Sequence, residues 1–288
     1  MSLKKGNTIG IIALSGDCER EKVEKAVSNF EALGFNVKLS KNIYDKNRYL
    51  AGSDEDKINE LNNFFIDNDI KLILCARGGY GAIRLINKIN YDIIKTNPKL
   101  FCGFSDVTAL LLMIYKKTGL ITYHSPMACT DFAEGININK FTKQKFFKAI
   151  NEEYLDFEGT KIYKEGTVEG ILWGGNLSTV VSLCGQDFIP NKDFIFFAED
   201  LNEPVYKIDK MFQQLINIPQ FTKHCNGLIL GDFLGVDNEQ WLDEYFNELA
   251  ERLNIPTVSG FKITHAREKI TLPIGKKAKI DGKTLIID

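Results

Sequence analysis

Two short turns in the first half of the chain carry the residue types that acyl-transfer chemistry needs. An apolar run, Lys71–Ala76, passes into Arg77-Gly78-Gly79-Tyr80-Gly81. A second, Leu100–Phe104, passes into Ser105-Asp106, so that the turn reads Gly103-Phe104-Ser105-Asp106. A serine raised on a tight strand-to-helix turn is how α/β sheets expose a nucleophile. A glycine-rich turn one crossover away brings free backbone N–H groups to the same end of the sheet. The chemistry on offer is hydrolysis through a serine nucleophile, with oxyanion donors from both turns.

A serine hydroxyl is protonated at neutral pH and needs a base, which in turn needs a carboxylate to orient it. The chain has three histidines: His124 after a strand-like run, His224 in Phe221-Thr222-Lys223-His224-Cys225, and His265 in a loop-like passage. Each is also readable as a structural or solvated side chain, and the residues alone do not choose among them. Glu199 and Asp200 end an apolar run, where a sheet presents functional side chains, or else they cap the next helix or turn. Asp106 reads as an N-cap for the helix after it, with its own backbone N–H free to face an oxyanion. Glycine-rich turns also cradle phosphates, but the chain lacks G-x-x-x-x-G-K-[ST], and Gly78-Gly79-Tyr80-Gly81 lacks the dinucleotide-binding spacing. No His or Cys pair has zinc-ligand spacing. Neither a metal nor a cofactor is expected.

The elements that must position these residues alternate. Thr8–Leu14, Phe35–Leu39, Lys71–Ala76, Leu100–Phe104 and Ile121–His124 read as strands. Glu19–Leu33, Asp54–Asn68, Gly81–Ile89 and Asp106–Lys117 read as helices. This βαβα rhythm predicts a parallel sheet covered by helices, with ligands beyond the carboxyl ends of its strands, where both turns lie. After a helix at Lys140–Asn151, the charged passage 152–166 reads as a linker. The rest is α/β with more antiparallel sheet: strands at Gly170–Trp173, Phe194–Ala198 and Gly227–Gly231, helices at Leu177–Leu183, Tyr206–Ile216 and Asn238–Leu253, and a hairpin about Asp281-Gly282. The expected division is therefore 1–151, linker, 167–288. A net charge of −2 lacks the basic excess of a nucleic-acid binder, and no apolar run reaches membrane-spanning length. Six scattered cysteines without a C-x-x-C pair read as reduced thiols of a cytoplasmic protein.

Taken in order, the motifs resemble the LD-carboxypeptidase family of serine peptidases, whose members include muramoyltetrapeptide carboxypeptidases and microcin C immunity hydrolases. The resemblance rests on GIIALSG at the first strand, RGGYG at Arg77–Gly81, GFSDVTALL at Gly103–Leu111, HSPM at His124–Met127, WGGNLST at Trp173–Thr179, AEDLNEPVYKIDKMFQQL at Ala198–Leu215 and THAREKITLPIG at Thr264–Gly275. It implies a Ser105–Glu199–His265 triad and an oxyanion hole from the N–H groups of Gly79 and Asp106. Arg77, Trp173 and Asn176 are candidate substrate contacts. It also implies a flavodoxin- or amidotransferase-like N-terminal domain, a swivelling, partly barrel-like C-terminal domain, and a homodimer. The implied reaction releases D-alanine from the L-diamino acid of a cytoplasmic muropeptide tetrapeptide during cell-wall recycling. The alternatives are hydrolysis of a peptidyl-nucleotide antibiotic of the microcin C type, for which Trp173 offers a face to stack a purine, and a non-catalytic ligand-binding module. The chain departs from the family pattern in carrying His-Ser-Pro-Met where members have HGPM. Its nucleophile turn, Gly-Phe-Ser-Asp-Val, is not G-x-S-x-G.

Overall fold

A computed structural model describes residues 2–133, 139–151 and 154–288. They form two compact units, Met1–Glu152 with Thr271–Pro273, and Glu153–Ile270 with Ile274–Asp288. In the first, strands β1 (Thr8–Ile12), β2 (Asn36–Leu39), β3 (Ile70–Cys75), β4 (Leu100–Gly103) and β5 (Thr122–His124) pair in the order β2-β1-β3-β4-β5, each neighbouring pair parallel. This is the flavodoxin-like doubly wound order, with its reversal between β1 and β3. A sixth strand taken from far along the chain, Leu272–Ile274, pairs beyond β5. β1, β3 and β4 are apolar on both faces and buried on both, as strands sandwiched between helices must be. The helices of this unit are α1 (Arg20–Ala32), α2 (Asp54–Ile66), α3 (Tyr91–Thr96), α4 (Thr108–Thr118), α5 (Ala128–Asp131) and α6 (Lys140–Ile150).

One expected helix of this unit is corrected. The stretch Gly81–Ile89 contains only a single 3₁₀ turn, Ala82–Arg84. Ala82, Leu85, Ile86 and Ile89 are buried as a helical stripe would be. A helix of this length is poorly nucleated, however, and Asn90 caps a new one, its side-chain oxygen accepting the N–H groups of Asp92 and Ile93 at 3.1 and 3.2 Å.

The second unit is built on an eight-stranded sheet with the order β6-β14-β13-β8-β9-β10-β11-β7. Its strands are β6 (Leu155–Glu158), β7 (Lys161–Lys164), β8 (Thr167–Asn176), β9 (Phe194–Leu201), β10 (Cys225–Leu234), β11 (Thr257–Ser259), β13 (Lys277–Asp281) and β14 (Thr284–Ile287), β12 being the Leu272–Ile274 strand of the first sheet. The four middle strands, β8 to β11, run parallel, and the flanks are antiparallel. Helices α7 (Leu177–Ser182), α8 (Val205–Ile216), α9 (Pro219–His224) and α10 (Glu239–Leu253) complete it.

The passage expected as a linker is thus largely strand, although Glu152, where it was to begin, lies outside the described residues. β6 and β7 stand at opposite edges of the sheet yet are joined by Gly159 and Thr160 alone. The Gly159 N–H donates to Lys283 O and the Thr160 N–H to Ser259 O, both at 2.8 Å. The sheet therefore curls until its edges are neighbours, barrel-like, with no ladder between β6 and β7 among the described residues. Short, charged edge strands of this kind, Leu-Asp-Phe-Glu and Lys-Ile-Tyr-Lys, read like irregular chain because edges are kept polar against aggregation.

Candidate active site

β4 delivers Ser105 through a sharp reversal. Phe104 is extended, Ser105 has φ +60°, and the chain then turns directly into α4. A left-handed torsion at a residue with a Cβ is uncommon and costs on the order of 1 kcal/mol or more. The glycine turn that follows β3 is packed against this serine. A Cβ on Gly78 would stand 2.9 Å from Ser105 Cβ and 3.0 Å from its Oγ, and Gly79 has φ +115°. The Gly78 carbonyl accepts the Gly16 N–H at 3.2 Å. In a trans peptide the C=O and the following N–H point to opposite sides, so the Gly79 N–H faces away from Gly16. Among the described residues it has no acceptor. Asp106 opens the helical turn, where a backbone N–H has no intrahelical partner.

The other face of this turn holds charges. The buried Asp106 carboxylate accepts the Ala82 N–H at 2.9 Å. Burial pushes its pKa up, while the Ala82 N–H and the charge of Lys57 pull it back. The Lys57 side chain is wholly buried on α2, 3.4 Å from Asp54 Oδ1. A Cβ on Gly81 would come 3.4 Å from its Nζ. Burial pulls Lys57 down, opposed by Asp54. Arg77 Nη1 donates to Asp17 O at 3.2 Å. Its Nε is buried without a partner among the described residues, and its side chain lines an open cavity of about 460 Å³.

In the second unit, β9 lies in the middle of the sheet and brings Glu199 to its carboxyl end fully buried. Glu199 Oε2 is 2.7 Å from His265 Nδ1. His265 stands on the irregular passage after β11. That passage is pinned by Asp232 N–H to Ile263 O and Ile270 N–H to Lys262 O, both 2.9 Å. An ionised carboxylate can only accept a hydrogen bond, so the tautomer of a neutral imidazole that suits this contact carries its proton on Nδ1 and its lone pair on Nε2. Glu199 Oε1 has no partner among the described residues.

The other histidines have different surroundings. His224 is 3.1 Å from Asp193, whose side chain is 60% exposed, which makes a surface pair. His124 is buried with its ring edge-on to Phe104. The serine of His-Ser-Pro-Met, Ser125, sits at negative φ, and its N–H donates to Gly103 O at 2.9 Å. Nothing in its backbone requires glycine.

Two expected substrate contacts have structural surroundings in the second unit. Trp173 has no exposed surface. It packs among Phe188, Phe194 and Phe196 with ring centroids 5.2–5.6 Å apart, leaving no face for a ligand. Asn176 caps α7: its Oδ1 accepts the Thr179 N–H at 3.1 Å, and its Nδ2 donates to Asp200 at 3.0 Å. Asp200, whose pKa burial pushes up, accepts the Ser178 N–H at 2.8 Å. Sequence reasoning missed Lys57, because a lysine next to the apolar stripe of an amphipathic helix reads as solvated. Its one signal is the acidic Asp54-Glu55-Asp56 run just before it. Among the described residues no group of three or more His, Cys, Asp or Glu side chains is arranged to hold a metal ion.

Residues 9–125 match the LD-carboxypeptidase N-terminal domain family, and residues 169–280 match the LD-carboxypeptidase C-terminal domain family. The chain belongs to the LD-carboxypeptidase family. It is accordingly a hydrolase of the serine-peptidase type, and the non-catalytic alternative is set aside. This LD-carboxypeptidase is 34% identical, over 100% of its own length and 93% of the relative's, to the probable murein peptide carboxypeptidase of Bacillus subtilis. Its fold matches the solved structure of MccF in complex with glutamyl sulfamoyl guanosine at TM-score 0.91 and 26% identity, covering 99% of this chain and 97% of that one. It matches muramoyltetrapeptide carboxypeptidase from Oxalobacter formigenes at TM-score 0.89 and 27% identity, covering 98% of each.

Proposed function

We propose that this LD-carboxypeptidase hydrolyses the amide between an L-diamino acid and the terminal D-alanine of muropeptide tetrapeptides in the cytoplasm, as a homodimer, in cell-wall recycling. In this reading Ser105 Oγ attacks the scissile carbonyl and His265 Nε2 takes its proton. The buried Glu199 holds the imidazole in the required tautomer and stabilises the imidazolium. The N–H groups of Gly79 and Asp106 receive the oxyanion. The imidazolium then protonates the departing D-alanine amine, and water deacylates Ser105 by the same route. Arg77, next to the oxyanion turn, is the cation offered to the substrate's terminal carboxylate.

The observation that carries the serine chemistry is the φ of +60° at Ser105 under the Cα of Gly78. A serine that only capped a helix would have no need of that strained torsion. The muropeptide substrate is supported by the name of the 34% identical relative. The likeness to MccF keeps a second reading, a peptidyl-nucleotide antibiotic. The burial of Trp173 counts against it by removing the aromatic face that was to stack the base.

The test is alanine release from tetrapeptides ending in D- or L-alanine, with lysine or meso-diaminopimelate before it, beside a peptidyl-adenylate mimic. A fixed nucleophile and oxyanion hole define one attack face, and a displacement of about 1 Å costs on the order of a hundredfold. The D-isomer is expected to win by at least that much. Equal kcat/KM for D- and L-alanine would sink the reading. Turnover of the adenylate mimic alone would move the protein to the second reading.

A further inference from the structure

Among the described residues, four other than glycine have a left-handed φ: Arg48, Ser105, Asn202 and Asn254. Asparagine tolerates that torsion, whereas serine and arginine are strained by it. Ser105 is accounted for by the serine turn. Arg48, at φ +59°, has no such account. Arg48 and Tyr49 are the tip of a two-residue reversal in which Asn47 and Leu50 exchange both backbone hydrogen bonds, at 2.9 and 3.0 Å. A left-handed position at such a tip normally carries glycine or asparagine. The reversal is seated on the glycine turn after β3. Leu50 is buried, and its Cδ2 would stand 2.8 Å from a Cβ on Gly81. The Ala51 N–H donates to Ser15 O at 3.0 Å.

The tip meets Tyr80, the residue after Gly79. The ring centroids of Tyr49 and Tyr80 are 5.7 Å apart at an interplanar angle of 63°, an edge contact, and the two residues are 54% and 47% exposed. The Arg48 guanidinium carbon lies 5.4 Å from the Tyr49 centroid. Among the described residues that guanidinium has no ion pair and no hydrogen bond. In the same unit, Asp17 and Asp54 already have Lys46 at 2.8 Å and Arg84 at 2.9 Å. A strained, exposed residue therefore holds an unpaired cation beside two half-exposed rings, and one of those rings follows a proposed oxyanion donor.

We infer, building on the hydrolysis proposed above, that Arg48, Tyr49 and Tyr80 form the subsite for the side chain of the substrate's diamino acid, and that Arg48 selects a side chain ending in a carboxylate, as in meso-diaminopimelate, over one ending in an ammonium alone, as in lysine. The diamino acid carries the scissile carbonyl. With that oxygen on the Gly79 N–H, its side chain starts beside Tyr80. The methylenes lie against the rings, and the terminal carboxylate takes the two-pronged guanidinium contact. A lysine ammonium brings a like charge to Arg48 and is disfavoured. Arg48 is thereby a specificity-determining residue and contacts no reacting atom.

The experiment compares tetrapeptides ending in D-alanine that differ only at the diamino acid: meso-diaminopimelate, its side-chain carboxamide, and lysine. Dissociation constants are measured on Ser105→Ala, and kcat/KM on the protein with its serine. The carboxylate peptide should bind more tightly than the carboxamide, and be turned over with the higher kcat/KM, by at least about fivefold, the worth of one well-made exposed ion pair. The lysine peptide should rank with the carboxamide or below it. The preference should shrink as salt is raised. With Arg48→Met or Arg48→Gly it should vanish, the loss appearing in KM rather than kcat, while Arg48→Lys should keep part of it. Arg48→Gly should also unfold at a higher urea concentration than the unsubstituted chain, because it relieves the torsion. That separates lost recognition from a lost fold. Binding that is absent, or equal for carboxylate and carboxamide, overturns the subsite, as does a preference that survives Arg48→Met and Arg48→Gly. If no peptide releases alanine, the hydrolysis reading has failed, and the dissociation constants still decide the subsite.

Discussion

At Ser105 the backbone is strained where the proposed chemistry needs it, and this separates two substitutions that both remove the hydroxyl. Ser105→Ala keeps a Cβ at φ +60°, whereas Ser105→Gly relieves it. Both are expected to abolish turnover. The glycine variant should unfold at a higher urea concentration than the alanine variant, by about 1 kcal/mol. Identical midpoints would mean the turn is not strained, and an alanine variant with a tenth of wild-type kcat would remove Ser105 as nucleophile. Glu199→Gln keeps shape and burial but loses the charge on His265. A fall in kcat on the order of 10³–10⁴ is expected, read beside an unchanged circular dichroism spectrum, and a loss below tenfold would refute the orienting role. The sequence left three histidines open, and only the family resemblance joined His265 to Glu199. What distinguishes that pair is a carboxylate with no exposed surface, against one 60% exposed beside His224. Burial of that kind is set by long-range packing and is not written in local spacing. Trp173 shows the converse: a conspicuous aromatic beside two glycines is core.

Among elements, β1, β3 and β4 of the first sheet were legible because strands buried on both faces read as continuous apolar runs. The edge strands β6 and β7 and the broken 81–89 segment were not, since polar edges and short stripes carry weak periodicity. The glycine turn after β3 depends on its lack of side chains. Gly78→Ala places a methyl against Ser105, so a hundredfold or larger loss of kcat is expected with the fold retained by size-exclusion chromatography. Full activity would mean that the turn can withdraw from the serine. The start of α2 supports the same turn. Asp54 is held well below the usual carboxylate range by Arg84 first, then Lys88 and Lys57, against the opposing pull of burial. Asp54→Asn leaves the buried Lys57 without that counter-ion and should cost about 3 kcal/mol in urea unfolding at neutral pH. A depressed folded pKa gives stability that is present above the unfolded value of about 3.9 and is lost as pH falls below it. The gap between wild type and Asp54→Asn should therefore narrow with acidification below about pH 4. A gap that widened there would refute the assignment.

At the scale of the whole molecule, the expected boundary at 151–167 treats each unit as one continuous stretch, whereas the first unit takes its sixth strand from Leu272–Ile274. The run Leu-Pro-Ile carries a proline, which argues against a strand except at an edge, so its place beside β5 was hidden. A fragment ending at Glu152 leaves β5 as an open edge and should self-associate on size-exclusion chromatography. A synthetic peptide spanning 269–276 should suppress this, and a fragment monomeric without the peptide would refute it. The same feature sets a clock on the ribosome. Chains grow at about 5–20 residues per second, and the unit that carries Ser105 waits with one sheet edge uncovered while the more than one hundred residues between Glu152 and Thr271 are added. His265 is translated before the strand that closes that edge. The nucleophile's sheet is therefore completed only after every side chain of the proposed triad has been made, and a nascent chain stalled short of Thr271 should have no hydrolase activity to release.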